Sequence, residues 1–400
     1  MTLMFSLSRR WITIVLAVWA IKLILIPLPP LTSDFLAWIQ ISQHVLNLIS
    51  NGKLPSVGAF GVYLGLGMLL TPCYWLWTLL PIQHATLAEI VAHPSLARYS
   101  LMYVMKSPIV VSDFFTGMLV FNLVRKASPS KANKAFLSWH LNPYNWYWLY
   151  WSTTMDVIPA VIVLLAIQYG INRKWSRCAF CLSWATILRL YPVLLLPFFM
   201  VYALWVEGRA LTKHVAPFLA SFATPLLLII VFQGYVSGSF EAAVNTFLQF
   251  PVTQPELLDF FGFRLSSVFT LTPFLLVLQL YFSFARWKRE TILALLILAP
   301  LLVFFASGIG FGLHLVWASP LLSICAALDN DWLLFSLIFI SGFLSPITTS
   351  RLFIQYFGWD ITYQGNQPVI DLLGPCMSGV HYGTKIVYLL KLNLYRLRWR

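Results

Sequence analysis

Charge is scarce in this chain. Of its 400 residues only 10% are Asp, Glu, Lys or Arg, and just 13 are acidic, whereas an ordinary soluble domain carries about a quarter charged residues. With 60% hydrophobic residues and a mean hydropathy of +0.80, that scarcity excludes a soluble fold. Metal-ligand spacing is missing too: no dense run of His, Asp and Glu occurs, so no structural metal is expected and a divalent metal is not indicated as a cofactor. Cysteine is sparse, an odd set of Cys73, Cys178, Cys181, Cys325 and Cys376 lying mostly in apolar stretches. Cys178 and Cys181 form a CxxC, but at helical spacing in a membrane segment without neighbouring ligands they read as buried small hydrophobes. The shortage of acid leaves a net charge of +13. Lys and Arg, however, fall in short loops between apolar segments, where they set topology, so nucleic acid is not an expected partner.

What fills the sequence is apolar runs, each long enough to cross a hydrocarbon core of about 30 Å. The first, Trp11 to Pro27, follows Arg9 and Arg10 without a small-residue cleavage site behind it, and is expected to be a retained signal anchor with Arg9 and Arg10 in the cytoplasm. It leads through Pro27-Leu-Pro-Pro30 to Thr32-Ser33-Asp34 outside. Phe60 to Leu80 is apolar enough to span, but a span there would leave Arg125, Lys126, Lys131 and Lys134 outside. Keeping residues 35–105 as external, membrane-lying helices puts those four inside, as the positive-inside rule prefers.

The chain is therefore expected to be one all-α, polytopic bundle over 1–400 of about twelve spans, with both ends inside. Its first external loop is 30–107, with juxtamembrane helices; 108–206 carries the first spans after it, and 207–400 the C-terminal helices. The expected spans are about 11–29, 108–124, 135–151, 157–171, 178–189, 192–206, 214–235, 267–284, 291–306, 313–328, 332–349 and 379–393. Most of the 26 basic residues are then cytoplasmic, with Lys22 and Lys385 inside spans, and most of the 13 acidic residues are external. Topology rules do not demand that second bias, because Asp and Glu contribute little to orientation.

Three carboxylates are expected at external ends of separate spans: Asp34 after the first, Asp113 at the start of the second and Asp156 between the third and fourth. Ionisable groups at such depth are costly unless paired or facing water, so they are candidates for function. Lys106, Arg189, Arg264 and Arg351 are expected on the same side, where together they would neutralise a phosphate or diphosphate; His314 near an outer span end is a further candidate. Each has a plainer alternative. Asp156 and Asp34 are also candidate N-caps, Asp113 a charge favoured at the positive end of its helix, Arg189 a snorkelling side chain and His314 a hydrogen-bonded structural histidine.

Asp34 after the first helix, Asp113 in Val-Ser-Asp-Phe-Phe, Leu141-Asn-Pro143 leading to Met155-Asp-Val-Ile-Pro159, and then Arg189-Leu-Tyr-Pro192 together resemble the GT-C superfamily of lipid-phosphate-sugar glycosyltransferases. Within it the pattern is similar to the catalytic subunit of GPI mannosyltransferase I and its archaeal and bacterial relatives, over about residues 30–200. The resemblance implies a multi-helix enzyme that moves one hexose, in that family mannose, from a polyprenyl (dolichyl) phosphate carrier to a glycan, lipid or protein acceptor on the extracytoplasmic face. It implies an acidic base in the first external loop, matched here by Asp34 alone, and a cation before Tyr-Pro, here Arg189 with Tyr191 following. Two departures stand out: where the family has an Asp-x-Asp pair this chain has the single carboxylate of Thr-Ser-Asp-Phe-Leu, and where it has Lys before Tyr-Pro this chain has Arg.

The chemistry divides accordingly. A base must take the acceptor's hydroxyl proton and cations must stabilise the leaving phosphate. Asp34 is the expected base; Arg189, Lys106, Arg264 and Arg351, with His314, are the expected phosphate cradle, and Asp113 and Asp156 orient acceptor hydroxyls or hold the basic residues. A single base implies direct displacement with inversion. Short loops and the lack of a retention signal fit an archaeal or bacterial plasma membrane. The alternatives are a secondary transporter, which would more typically show two related halves and charged or broken helices near the midplane, and a flippase or ligase of lipid-linked sugars.

Overall fold

The structure is a computed structural model that describes residues 9–27, 33–53, 64–82, 95–151, 153–189, 191–207, 212–237 and 315–330, with positions 55, 332, 333, 335, 336, 339 and 340. Among them the regular structure is helical, without a strand. The helices are α1 (Arg9–Leu25), α2 (Ser33–Ser50), α3 (Leu64–Thr78), α4 (Leu96–Ala127), α5 (Ala132–His140), α6 (Pro143–Trp146), α7 (Val157–Ile171), α8 (Trp175–Leu188), α9 (Leu196–Glu207), α10 (Thr212–Ser237) and α11 (Leu315–Asp329). The helix satisfies its backbone polar groups within one segment, which is what an apolar run in lipid requires.

The axis of the fold is α4. Its 32 residues extend about 48 Å at 1.5 Å per residue. It opens on Ser95, whose hydroxyl accepts the Arg98 N–H at 3.1 Å, an N-cap. The sequence predicts a span beginning at 108, yet the helix runs straight through that point. Pro108 cannot donate to the carbonyl of Val104, and the Ser107 hydroxyl supplies the missing donor at 2.7 Å. Proline therefore does not end the helix here, and the expected external segment joins the expected second span in one rod.

The expected third span, 135–151, is by contrast broken. α5 stops at His140, Asn142 turns the chain and accepts the Tyr144 N–H at 3.1 Å, and Pro143 begins α6. Proline at the first helical position loses nothing, because that N–H has no intrahelical partner. A π-helical turn, Tyr147–Trp151, follows. The other expected spans within the described residues correspond to α1, α7, α8, α10 and α11, with the sixth split into a 3-10 turn, Tyr191–Leu195, and α9. Residues 35–105 supply α2, α3 and the first turns of α4. The eighth, ninth and twelfth expected spans lie outside the described residues, as does most of the eleventh.

α4 packs on α3, α5, α7 and α11, while α8 is sandwiched between α7 and α10. At the end of α4 that carries Arg125 and Lys126, Lys126 Nζ donates to Asn172 Oδ1 at 2.8 Å, and Lys131 Nζ donates to the Leu328 carbonyl at 2.5 Å. These bonds join the C-terminal ends of α4, α7 and α11. Gly65 in α3 faces the backbone of α8: a Cβ there would meet the Ile187 carbonyl oxygen at 3.0 Å, the close approach that small residues permit between membrane helices.

Two helical stretches, Leu96–Ala127 and His214–Phe232, are long and apolar enough to cross a membrane. The first is a core helix, whereas only 17% of the second's apolar window is buried. Leu227, Leu228, Val231 and Phe232 are exposed along α10. In water so continuous an apolar face is a liability; against lipid chains it is neutral.

Candidate functional site

The buried face of α4 carries Lys106, Ile109, Asp113, Thr116 and Val120, the spacing that keeps residues on one side of a helix. Asp113 lies near the helix midpoint and is fully buried. Its carboxylate is satisfied from three elements. Lys22 of α1 donates to Oδ2 at 2.6 Å, the Tyr150 hydroxyl donates to the same oxygen at 2.6 Å, and the Trp139 indole N–H donates to Oδ1 at 2.6 Å. The Trp139 N–H also reaches the Asp113 carbonyl, at 3.3 Å. Lys22 Nζ lies 3.0 Å from His140 Nδ1. An ammonium has no acceptor, so Nδ1 accepts and the neutral ring carries its proton on Nε2. Nε2 points at Gly117, where a Cβ would overlap it. The Trp19 ring sits 5.0 Å from Lys22 Nζ and closes the cluster. A charge pair at this depth is tolerable only because its lone pairs and protons find partners.

Tyr150 links this cluster to Lys106. Its side chain holds Asp113, and its backbone carbonyl accepts from Lys106 Nζ at 2.9 Å. Tyr150 is next to last in the π turn, where a carbonyl lacks an intrahelical partner, and π-helical turns recur at functional positions. Lys106 Nζ also lies 5.8 Å from the ring centre of Phe35. Phe35 follows Asp34 in the first turn of α2. The side chains of Asp34 and Tyr191 are outside the described set.

Asp156 and Arg189 form a second pair, Nε to Oδ1 at 2.8 Å, with both side chains buried. Asp156 occupies the N-cap position of α7 but makes no capping hydrogen bond; its carboxylate turns to Arg189, which sits at the C-cap of α8. Between the π turn and Asp156, Thr153 adopts φ 64°. A β-branched residue in the left-handed region costs on the order of 1–3 kcal/mol, a cost borne where the chain must present the Tyr150 carbonyl and the Asp156 carboxylate six residues apart.

Of the residues singled out in the sequence, the structure thus connects Asp113 to Lys106 through Tyr150, and pairs Asp156 with Arg189. The helix-dipole alternative for Asp113 fails, because the residue is in mid-helix. Three protein donors, from Lys22, Trp139 and Tyr150, occupy its carboxylate. Arg264, His314 and Arg351 lie outside the described residues. Lys22, Trp139, His140 and Tyr150 were missed. Lys22 had a visible signal, being a cation inside an otherwise uncharged span, where a partner is obligatory. The other three are polar groups that only tertiary packing brings to Asp113. Among the described residues no three His, Cys, Asp or Glu side chains gather to hold a metal.

Compared with known protein families, curated proteins and solved structures, the chain matches none.

Proposed function

We propose that this chain is a multi-pass membrane glycosyltransferase of GT-C type that moves a hexose, in the resembled family mannose, from a polyprenyl-phosphate carrier to a glycan, lipid or protein acceptor on the extracytoplasmic side. The observation that carries this is the approach of the first turn of α2, bearing Asp34, to Lys106, through the 5.8 Å contact of Phe35. Asp34 takes the proton of the acceptor hydroxyl, the acceptor oxygen attacks the sugar carbon from the face opposite the phosphate, and the carbon–oxygen bond to the phosphate breaks with inversion. Lys106 and Arg189 meet the charge that develops on the leaving phosphate; Arg264, Arg351 and His314 remain candidates for the same cradle, and Tyr191 for contact with the substrate. Asp113 and Asp156 hold the basic groups in position. The topology of about twelve spans belongs to the same proposal. It is supported by the bonds from Lys126 to Asn172 and from Lys131 to Leu328, which join three helix ends expected in the cytoplasm.

The test is sugar transfer by Asp34→Asn and Arg189→Gln proteins that remain folded in the membrane. General-base loss is expected to slow transfer about 10²–10⁴-fold, and Arg189→Gln to raise the demand for donor lipid. Transfer by the Asp34→Asn protein at the wild-type rate overturns the base assignment.

A second reading, a secondary transporter, is favoured by two features: the Lys22–Asp113 pair near the midpoint of α4, and the helix break at Leu141–Pro143 beside it. Transport predicts labelled solute accumulating inside proteoliposomes without covalent transfer. A flippase predicts carrier lipid changing leaflet with its sugar still attached.

A further inference from the structure

We propose that the joint between the end of α4 and the α7–α8 turn is a binding surface for the phosphate headgroup of anionic phospholipid in the cytoplasmic leaflet. The side of the membrane rests on the topology proposed above; the lipid chemistry rests on the surface itself and on no step of sugar transfer. Four cations meet there. Lys126 Nζ donates to Asn172 Oδ1 at 2.8 Å, which fixes the end of α4 to the turn after α7. Arg173 and Lys174 are the next two residues, and Arg177 folds back over the Tyr169 ring of α7, its Cζ 6.0 Å from the ring centre. All four are exposed. Among the described residues none of them is paired with a carboxylate, unlike Lys22 and Arg189 in the interior. Glu207, the acid at the end of α9, has a side chain only 14% exposed and is turned instead to Trp175, whose indole N–H donates to Oε1 at 3.1 Å.

The turn itself points the same way. Lys174 N–H donates to the Tyr169 carbonyl and Arg173 N–H to the Gly170 carbonyl, both at 2.9 Å, the pair of bonds that closes a helix in the Schellman motif. The left-handed position of that motif is usually glycine. Here it is Arg173, with φ 57°, a conformation that disfavours a side chain. A charged side chain therefore stands where the backbone alone would be better served by none. Arginine presents a planar fork that takes two phosphate oxygens at once, and the contact with Tyr169 holds Arg177 without neutralising it. Anionic lipids draw juxtamembrane clusters of four or more Lys and Arg, and a headgroup bound at this joint ties α4 to α7 and α8.

The experiment measures association of spin-labelled phosphatidylglycerol, against spin-labelled phosphatidylcholine, with the full chain in phosphatidylcholine nanodiscs, and the melting temperature in parallel. The variants are Arg173→Gly, Lys174→Gln, Arg177→Gln, their triple combination and, as a charge-matched control, Lys53→Gln in the exposed turn after α2. The wild type is expected to prefer phosphatidylglycerol. Each single change should weaken that preference about twofold to fivefold and the triple change abolish it, while Lys53→Gln binds as wild type. Arg173→Gly is the sharpest arm, because it relaxes the turn: its melting temperature should hold or rise as its affinity falls. Lack of any preference in the wild type, or a folded triple variant that keeps it, overturns the proposal. Equal weakening in Lys53→Gln overturns it too, because binding then follows net charge alone. Displacement of the lipid by soluble glycerol phosphate assigns the surface to a free phosphate and overturns the lipid assignment. Labelling of a Lys174→Cys protein by a membrane-impermeant maleimide in intact cells overturns the assignment of leaflet. A preference for phosphatidylglycerol in a chain that transfers no sugar would uphold this surface and remove the function proposed above.

Discussion

Lys22 and Asp113, 91 residues apart in the chain, meet at 2.6 Å with neither side chain exposed. A buried pair is weak evidence of stabilisation, since desolvation offsets the attraction, but removal of one partner strands a charge at a cost of about 3–5 kcal/mol. Lys22→Met and Asp113→Asn are each expected to lower stability on that scale. The double variant should cost clearly less than the two together, because neither charge is left alone. Thermal unfolding of the four proteins in one detergent forms the cycle, and strict additivity would mean that the pair is not coupled.

Gly117 and His140 give a steric counterpart. A Cβ at 117 overlaps the imidazole that accepts from Lys22, and the ring is wedged by Phe136, 4.4 Å away between centres. Gly117→Ala is expected to destabilise by about 1–3 kcal/mol, as overpacking does. The Gly117→Ala/His140→Ala protein should lose less than the sum of the two single changes. Melting temperatures check this, and a neutral Gly117→Ala would contradict the packing between α4 and α5.

Much of the fold was legible in the sequence, for identifiable reasons. α7 occupies the predicted 157–171, because a continuous apolar run between Asp156 and Arg173 admits one solution in lipid. The start of α4 was not legible: Pro108 reads as a helix boundary until Ser107 is seen to supply the missing donor. The break in the third span had a signal in Asn142-Pro143, a turn dipeptide, outweighed in the reading by the aromatic residues on either side of it. At the site, charge in an apolar chain singled out Asp113, Asp156, Lys106 and Arg189 as candidates for function, and the structure buries all four with partners. Which partner each takes was not encoded locally. Tyr150 and Trp139 are unremarkable among many aromatics, and their polar ends acquire meaning only from where the π turn and α5 carry them.

Orientation is checked by thiol labelling in a background with the native cysteines replaced by alanine. Lys53 after α2 and Lys174 before α8 are both exposed, and the positive-inside rule puts them on opposite sides. The Lys53→Cys protein is expected to react with a membrane-impermeant maleimide in intact cells, and the Lys174→Cys protein only after permeabilisation. Reaction of both in intact cells would contradict the topology on which an extracytoplasmic Asp34 depends.

The most direct measurement is the fate of a radiolabelled sugar on a polyprenyl-phosphate carrier, incubated with the purified chain in sealed proteoliposomes with mixed glycan and lipid acceptors. The account predicts label covalently attached to an acceptor with inverted configuration at the sugar carbon, and free polyprenyl phosphate released in equal amount. Label that stays on its carrier while crossing the bilayer, or accumulates in the lumen as free solute, would contradict it.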